Sequence, residues 1–177
     1  MIHYKVATQF YCDPINPDIP LVYAYGFNVN RTRNAYERAA RKRWPKCTNK
    51  ITHLAAKGEL QLGKNVIVPI NDYVCVVHVV GLDSVKNGSG KLTPYDYEAM
   101  ESCFASLRHD IISQWLMYTV TDGLDFELHI PRIGGYIRGY EVSWIPIKVW
   151  LNEQFSDINV VVIDDTHDQS VRCGIYN

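Results

Sequence analysis

The segment Ile130-Pro131-Arg132-Ile133-Gly134-Gly135-Tyr136-Ile137-Arg138-Gly139 joins a short apolar run to a Gly-rich turn that leads, through Trp144, into a helical pattern. Glycine tolerates φ > 0 and leaves no side chain in the way, so backbone N–H groups in such a turn can converge on an anion. The chemistry that suits it is phosphate binding; ordinary strand-to-helix turns use the same residue types, and the types alone leave both readings open. A second cationic stretch, Asn28-Val29-Asn30-Arg31-Thr32-Arg33-Asn34, precedes a helix. A helix opening after Asn30 would present unpaired N–H groups, to which Arg31 and Arg33 could add bidentate phosphate contacts. Asp83, just beyond Gly81 at the end of an apolar run, is the carboxylate best placed to act as a base.

Other reactive residue types carry less. His78 and His129 lie within apolar strand patterns and read as core residues, whereas His53 and His109 fall on helix or loop surface without partner spacing. The five cysteines, at 12, 47, 75, 103 and 173, are odd in number and lack CxxC spacing, which argues against a disulfide framework and a zinc site. Cys75 and Cys103 are expected as small core residues. Asn87-Gly88-Ser89-Gly90-Lys91-Leu92 imitates part of a P-loop, but Val85 stands where its first Gly belongs and Leu92 where Ser or Thr must hold Mg²⁺. No HExxH or GxSxG occurs, so the sequence implies no metal and no cofactor.

The elements that position these residues follow from periodicity. Tyr4–Phe10 and Leu21–Tyr25 read as strands, and Asn34–Trp44 as a helix whose outer face carries Arg38, Arg41, Lys42 and Arg43, with Pro45 expected to end it. Leu60–Ile70 and Tyr73–Leu82 flank Asn71-Asp72 as a hairpin, and YVCVVHVVGL is apolar enough to be the centre of the sheet. Thr93 is expected to cap a helix with Pro94 at its first position and Tyr97, Met100, Phe104, Leu107 and Ile111 on its buried stripe. Phe126–Pro131 is a strand, Ile147, Trp150, Leu151 and Phe155 line a helix starting near Ser143, and Val160–Ile163 is a last strand before a polar tail, 164–177. This order predicts an α/β fold of three layers, in one domain over 1–177 with its core at about 4–163. Ligands on such sheets bind at the carboxyl ends of strands, which selects the loops 28–34, 81–93 and 134–140.

With 47% apolar and 21% charged residues the chain is ordinary for a globular domain. Lys plus Arg is 18 and Asp plus Glu is 19, so the molecule as a whole has no field favouring nucleic acid as a primary partner or an anionic membrane. No leader-like start or membrane-length apolar run is visible, and the expectation is a cytoplasmic monomer.

Pro131-Arg132-Ile133-Gly134, followed by Gly135 and by the aromatic Trp144 ahead of a long helix, resembles the second phosphate loop of macro domains. The likeness is to the divergent branch holding ADP-ribose-1″-phosphate phosphatases and the terminal ADP-ribose hydrolases of glutamate adducts. Gly58–Pro69, Tyr73–Gly81 and Tyr95–Leu107 are similar to that branch in order and spacing. The resemblance implies an α/β/α fold with a mixed central sheet. It also implies a ligand that is ADP-ribose, a phosphorylated or adducted derivative, or an ADP-ribosylated protein, and an activity that is either hydrolysis at the distal ribose or binding without turnover. The resemblance implies Gln9, Asn28, Asn30, Gly134, Gly135, Tyr136, Ile137 and Arg138 as site residues; Arg31 and Arg33, with Asp83 as base, join them from the residue types described above.

The departures are specific. The family's adenine-binding Asp after the first strand is replaced by Thr8-Gln9, and its Asn followed by a glycine run becomes Asn28-Val29-Asn30-Arg31-Thr32-Arg33, in which Asn28 or Asn30 takes the Asn role. The catalytic Lys of the glutamate-adduct hydrolases falls near Val80, and the second loop carries Arg138 without their Asp, so that mechanism is not expected.

Overall fold

Along one strand, Leu21, Tyr23, Tyr25 and Phe27 pack to one side while Val22 and Ala24 pack to the other, because successive side chains of extended backbone point to opposite faces. Both sets are buried, which requires a helical layer on each face. The computed structural model describes residues 2–6, 15–29, 35–82, 85–86, 92–93, 97–119, 125–132, 135–137, 140–142 and 144–164. In chain order these form β1 (Ile2–Val6), β2 (Leu21–Asn28), α1 (Ala35–Arg43), α2 (Pro45–Ala56), β3 (Lys64–Pro69), β4 (Val74–Leu82), β5 (Val85–Lys86), β6 (Leu92–Thr93), α3 (Tyr97–Gln114), β7 (Glu127–Pro131), β8 (Gly135–Ile137), β9 (Tyr140–Val142), α4 (Ile145–Gln154) and β10 (Val160–Asp164). A 3₁₀ turn, Leu116–Tyr118, follows α3.

The sheet has six strands in the order β1-β10-β7-β2-β4-β3. All neighbours are parallel except β3, which runs antiparallel to β4, so the expected mixed α/β/α architecture is present. One core joins the sheet to Met100, Phe104, Leu107 and Ile111 of α3 and Ile147 and Leu151 of α4; the other joins it to Ala40 of α1 and Cys47 and Ile51 of α2. Cys75 and Cys103 are buried thiols, and burial pushes Cys103 up to about 12. Arg108 of α3 donates in a bidentate pair to Asp157 at 2.6 Å and also to the Gln154 carbonyl, which ties α3 to the end of α4. The adjoining guanidinium holds the Asp157 carboxyl below its usual value.

As expected, α1 ends at Arg43, before Pro45, and Pro45 also opens a second helix, α2, where a missing N–H costs nothing because the first turn has no intrahelical acceptor for it. Other expectations are corrected. β4 is buried on both faces as its sequence requires, yet it is the fifth strand of six; the centre is the β7–β2 pair. Thr93 ends β6, paired to Val85, and residues 94–96, where the helix start is expected, lie outside the described residues; within α3 the Tyr97 side chain is exposed and not on the buried stripe. A hairpin, β8 with β9, stands between the Gly-rich segment and α4. The first strand, expected over 4–10, is found as Ile2–Val6, and residues 7–14 lie outside the described residues.

Candidate functional site

The five parallel strands end on one edge of the sheet, at Val6, Asn28, Leu82, Pro131 and Asp164. After β2 the chain moves outward to β4 and β3; after β7 it moves the opposite way, to β10. The strand order therefore reverses between β2 and β7, and the crevice at that reversal is where open α/β sheets hold ligands. Its two walls start from Asn28 on β2 and from Arg132 after β7.

Local hydrogen bonds set these starting points. The Val29 N–H donates to the Leu82 carbonyl at 2.9 Å after a register shift between Gly26 and Asn28, which places Asn28 opposite Leu82. Asn28 is a buried polar residue, 7% exposed, at an edge where its neighbours along the strand are apolar. The Arg132 N–H donates to the Ile163 carbonyl at 2.9 Å and so carries the β7–β10 ladder one residue past the strand. On β4, Gly81 faces α3: a Cβ there would lie 3.0 Å from Met100 Cα, so only glycine lets α3 approach this end of the strand.

Asn28 ends β2, opposite Leu82. Gly135, Tyr136 and Ile137 follow β7 as strand β8, with Gly135 paired to Val142, so a hairpin lies where the sequence reads a Gly-rich turn ahead of α4. Gln9, Asn30, Arg31, Arg33, Asp83, Gly134 and Arg138 lie outside the described residues. Among the described residues no group of three His, Cys, Asp or Glu side chains is arranged to hold a metal. No described helix is long and apolar enough to cross a membrane.

His78 and His129 are core residues, as their strand patterns imply, whereas the burial of Glu127 beside His129 is not read from the sequence. Glu127 and His129 of β7, both without solvent exposure, meet at 2.5 Å, near the opposite edge of the sheet from the crevice. Their i, i+2 spacing on a strand is the signal that they share a face. His78 of β4 is buried against the rings of Tyr25 and Phe27, edge-on at 4.9 and 5.3 Å, and neither ring nitrogen has a hydrogen-bond partner among the described residues. Burial, with the Lys50 charge nearby, lowers its pKa to about 3, so it is neutral and is not a catalytic acid at neutral pH.

No protein-family model matches the sequence, and no curated protein matches it. Solved structures do match in fold. A protein of unknown function from Bacteroides thetaiotaomicron superposes with a TM-score of 0.72 at 21% identity, over 93% of this chain and 98% of that one. A macrodomain protein from Streptomyces coelicolor gives 0.69 at 18% identity, over 93% and 99%. Thermosipho africanus DarTG, solved in complex with ADP-ribose, gives 0.55 at 12% identity, over 83% of this chain and 38% of that one.

Proposed function

From the macrodomain fold of this chain, we propose that it binds ADP-ribose or a phosphorylated or adducted derivative in the crevice between β2 and β7, and removes the group carried on the distal ribose. The supporting observation is the strand-order reversal between β2 and β7, in a fold shared with a protein solved with ADP-ribose. In this reading Asn28 or Asn30 contacts the distal ribose. Arg31 and Arg33 replace a glycine run by giving a phosphate bidentate guanidinium contacts. Gly134 to Arg138 approach the other phosphate, and Gln9 lies toward the base. For a 1″-phosphate, water attacks phosphorus with Asp83 taking its proton, the bond from phosphorus to the ribose 1″-oxygen breaks, that oxygen takes a proton from solvent to become the hydroxyl, and Asp83 returns its own to solvent.

One observation favours a second reading, a reader that binds without turnover. Val80, near which the lysine of the glutamate-adduct hydrolases falls by resemblance, is fully buried in the α1–α2 core and offers no nucleophile. Incubation with ADP-ribose-1″-phosphate separates the two. Release of inorganic phosphate by the wild-type chain, falling at least about 100-fold in Asp83→Asn, is expected for general-base catalysis. Binding of the same compound with no phosphate release would leave the reader, and turnover unchanged in Asp83→Asn would remove Asp83 from the mechanism.

A further inference from the structure

The layer formed by α1 and α2 has a charge of its own. Between Ala35 and Lys57 the chain places Arg38, Arg41, Lys42, Arg43, Lys46, Lys50 and Lys57, against a single acid, Glu37, although the whole chain carries −1. Glu37 is buried, whereas all seven basic residues are exposed, so the outer surface of this layer is cationic throughout. On α2 and its C-terminal cap, Lys46, Lys50, His53 and Lys57 recur at i, i+4, i+7 and i+11. That spacing puts them on one flank of the helix, one per turn over about 16 Å. Lys50 donates to the Ile67 carbonyl and is partly held by it. Arg41, Lys42, Lys46 and Lys57 enter no ion pair among the described residues. Keeping that many like charges together costs free energy unless something anionic covers them.

The kind of anion follows from what else the surface lacks. None of the exposed large apolar side chains falls on α1 or α2. A membrane-surface helix needs an apolar face to insert, and a protein interface needs an apolar centre; neither exists here. Exposed Lys and Arg side chains spread along both helices without apolar anchors match a repeating, solvated polyanion, which is the phosphodiester backbone of a nucleic acid. The stripe spans about five phosphates of one strand at 3.4 Å each. Trp44, at the α1–α2 junction, lies under the Arg43 guanidinium at 5.1 Å and packs on Tyr23, which fixes the corner between the two helices.

We infer that the outer face of α1 and α2 is a docking surface for the phosphate backbone of nucleic acid, read without regard to base sequence. It is separate from the β2–β7 crevice, and α2 runs along it toward the crevice edge, since β3, which follows, starts opposite Val80. The test is fluorescence anisotropy with a labelled 20-nucleotide single strand and the corresponding duplex. With four phosphate contacts, affinity should fall on the order of 100-fold between 50 and 200 mM salt. Arg41→Gln, Lys42→Gln, Lys46→Gln and Lys57→Gln together should weaken binding at least about tenfold at 50 mM salt and flatten the salt dependence, with far-UV dichroism unchanged. Lys57→Gln alone should reduce the slope by about one. Absence of wild-type binding at 50 mM salt, or binding by the quadruple variant equal to wild type, would overturn the inference. So would equal capture by poly-glutamate or by vesicles of phosphatidylserine and phosphatidylcholine, since the surface would then read charge and not a phosphodiester chain. Binding of ADP-ribose by the quadruple variant is expected to match wild type, so failure here and failure of the proposed function are told apart.

Discussion

Replacing Glu127 by alanine is expected to cost about 3–5 kcal/mol of folding free energy, the range for removing one partner of a buried, hydrogen-bonded pair. The carboxylate makes three contacts at once. Oε1 accepts from the Ile15 N–H at 2.7 Å and meets His129 Nε2 at 2.5 Å, while Oε2 is 3.3 Å from the Asn16 N–H. Its own N–H donates to the Pro20 carbonyl at 2.8 Å, so β7 holds the approach to β2 by backbone and side chain together. Truncation takes the carboxylate from a buried imidazole and from two backbone N–H groups and leaves a cavity in one step. Glu127→Gln keeps an oxygen for the backbone and should lose less. Urea unfolding measures both; a loss below about 1 kcal/mol for Glu127→Ala would mean that water or a neighbour replaces the carboxylate at little cost.

Stability should also fall steeply in acid because of His78, and His78→Leu should remove that part of the fall. The ring is buried between Tyr25 and Phe27 with Lys50 as the nearby charge, and its pKa is lowered from 6.5 to about 3. Below pH 6.5 the unfolded chain takes up a proton that the folded chain refuses, so the unfolded state binds more protons and stability drops as pH drops. The contribution is fully present above pH 6.5 and is lost progressively between 6.5 and about 3. At about 1.4 kcal/mol per pH unit the loss over that window is on the order of 5 kcal/mol. Denaturation midpoints of wild type and His78→Leu, measured from pH 7 to 4, should diverge by a growing amount. Parallel curves would show that the folded ring is protonated as easily as the unfolded one.

Most of the architecture was legible because it rests on periodicity. β2, α1, the β3–β4 hairpin, β7, α4 and β10 all fall where alternating or helical apolar patterns put them, since each pattern must bury one or two faces. The failures have physical causes. α2 is not legible because Pro45, which ends α1, also sits in the first turn of the next helix, and a proline that closes one helix does not announce that it opens another. A doubly buried strand need not be central: β4 lies between α3 and the α1–α2 layer, with only β3 beyond it, and its composition matches that of a middle strand. Phe126-Glu127-Leu128-His129-Ile130 alternates apolar with polar; His129 reads as core, but only the fold, with both strand faces covered, reveals that Glu127 is buried beside it. At the site, Asn28 is found at the edge that the strand-end rule selects, whereas the Gly134–Arg138 reading missed the β8–β9 hairpin because glycine-rich turns and hairpins share residues.

The central claim is that the crevice between β2 and β7 takes ADP-ribose. Calorimetric titration of the wild-type chain with ADP-ribose, its 1″-phosphate and AMP tests it most directly. The account predicts saturable one-to-one binding of ADP-ribose with a Kd of roughly 1–10 μM, about −7 to −8 kcal/mol. It predicts weaker binding of AMP, which lacks the distal ribose and one phosphate, and binding of the 1″-phosphate at least as tight as that of ADP-ribose. No binding of ADP-ribose at concentrations up to about 1 mM, or equal affinity for AMP and ADP-ribose, would contradict it.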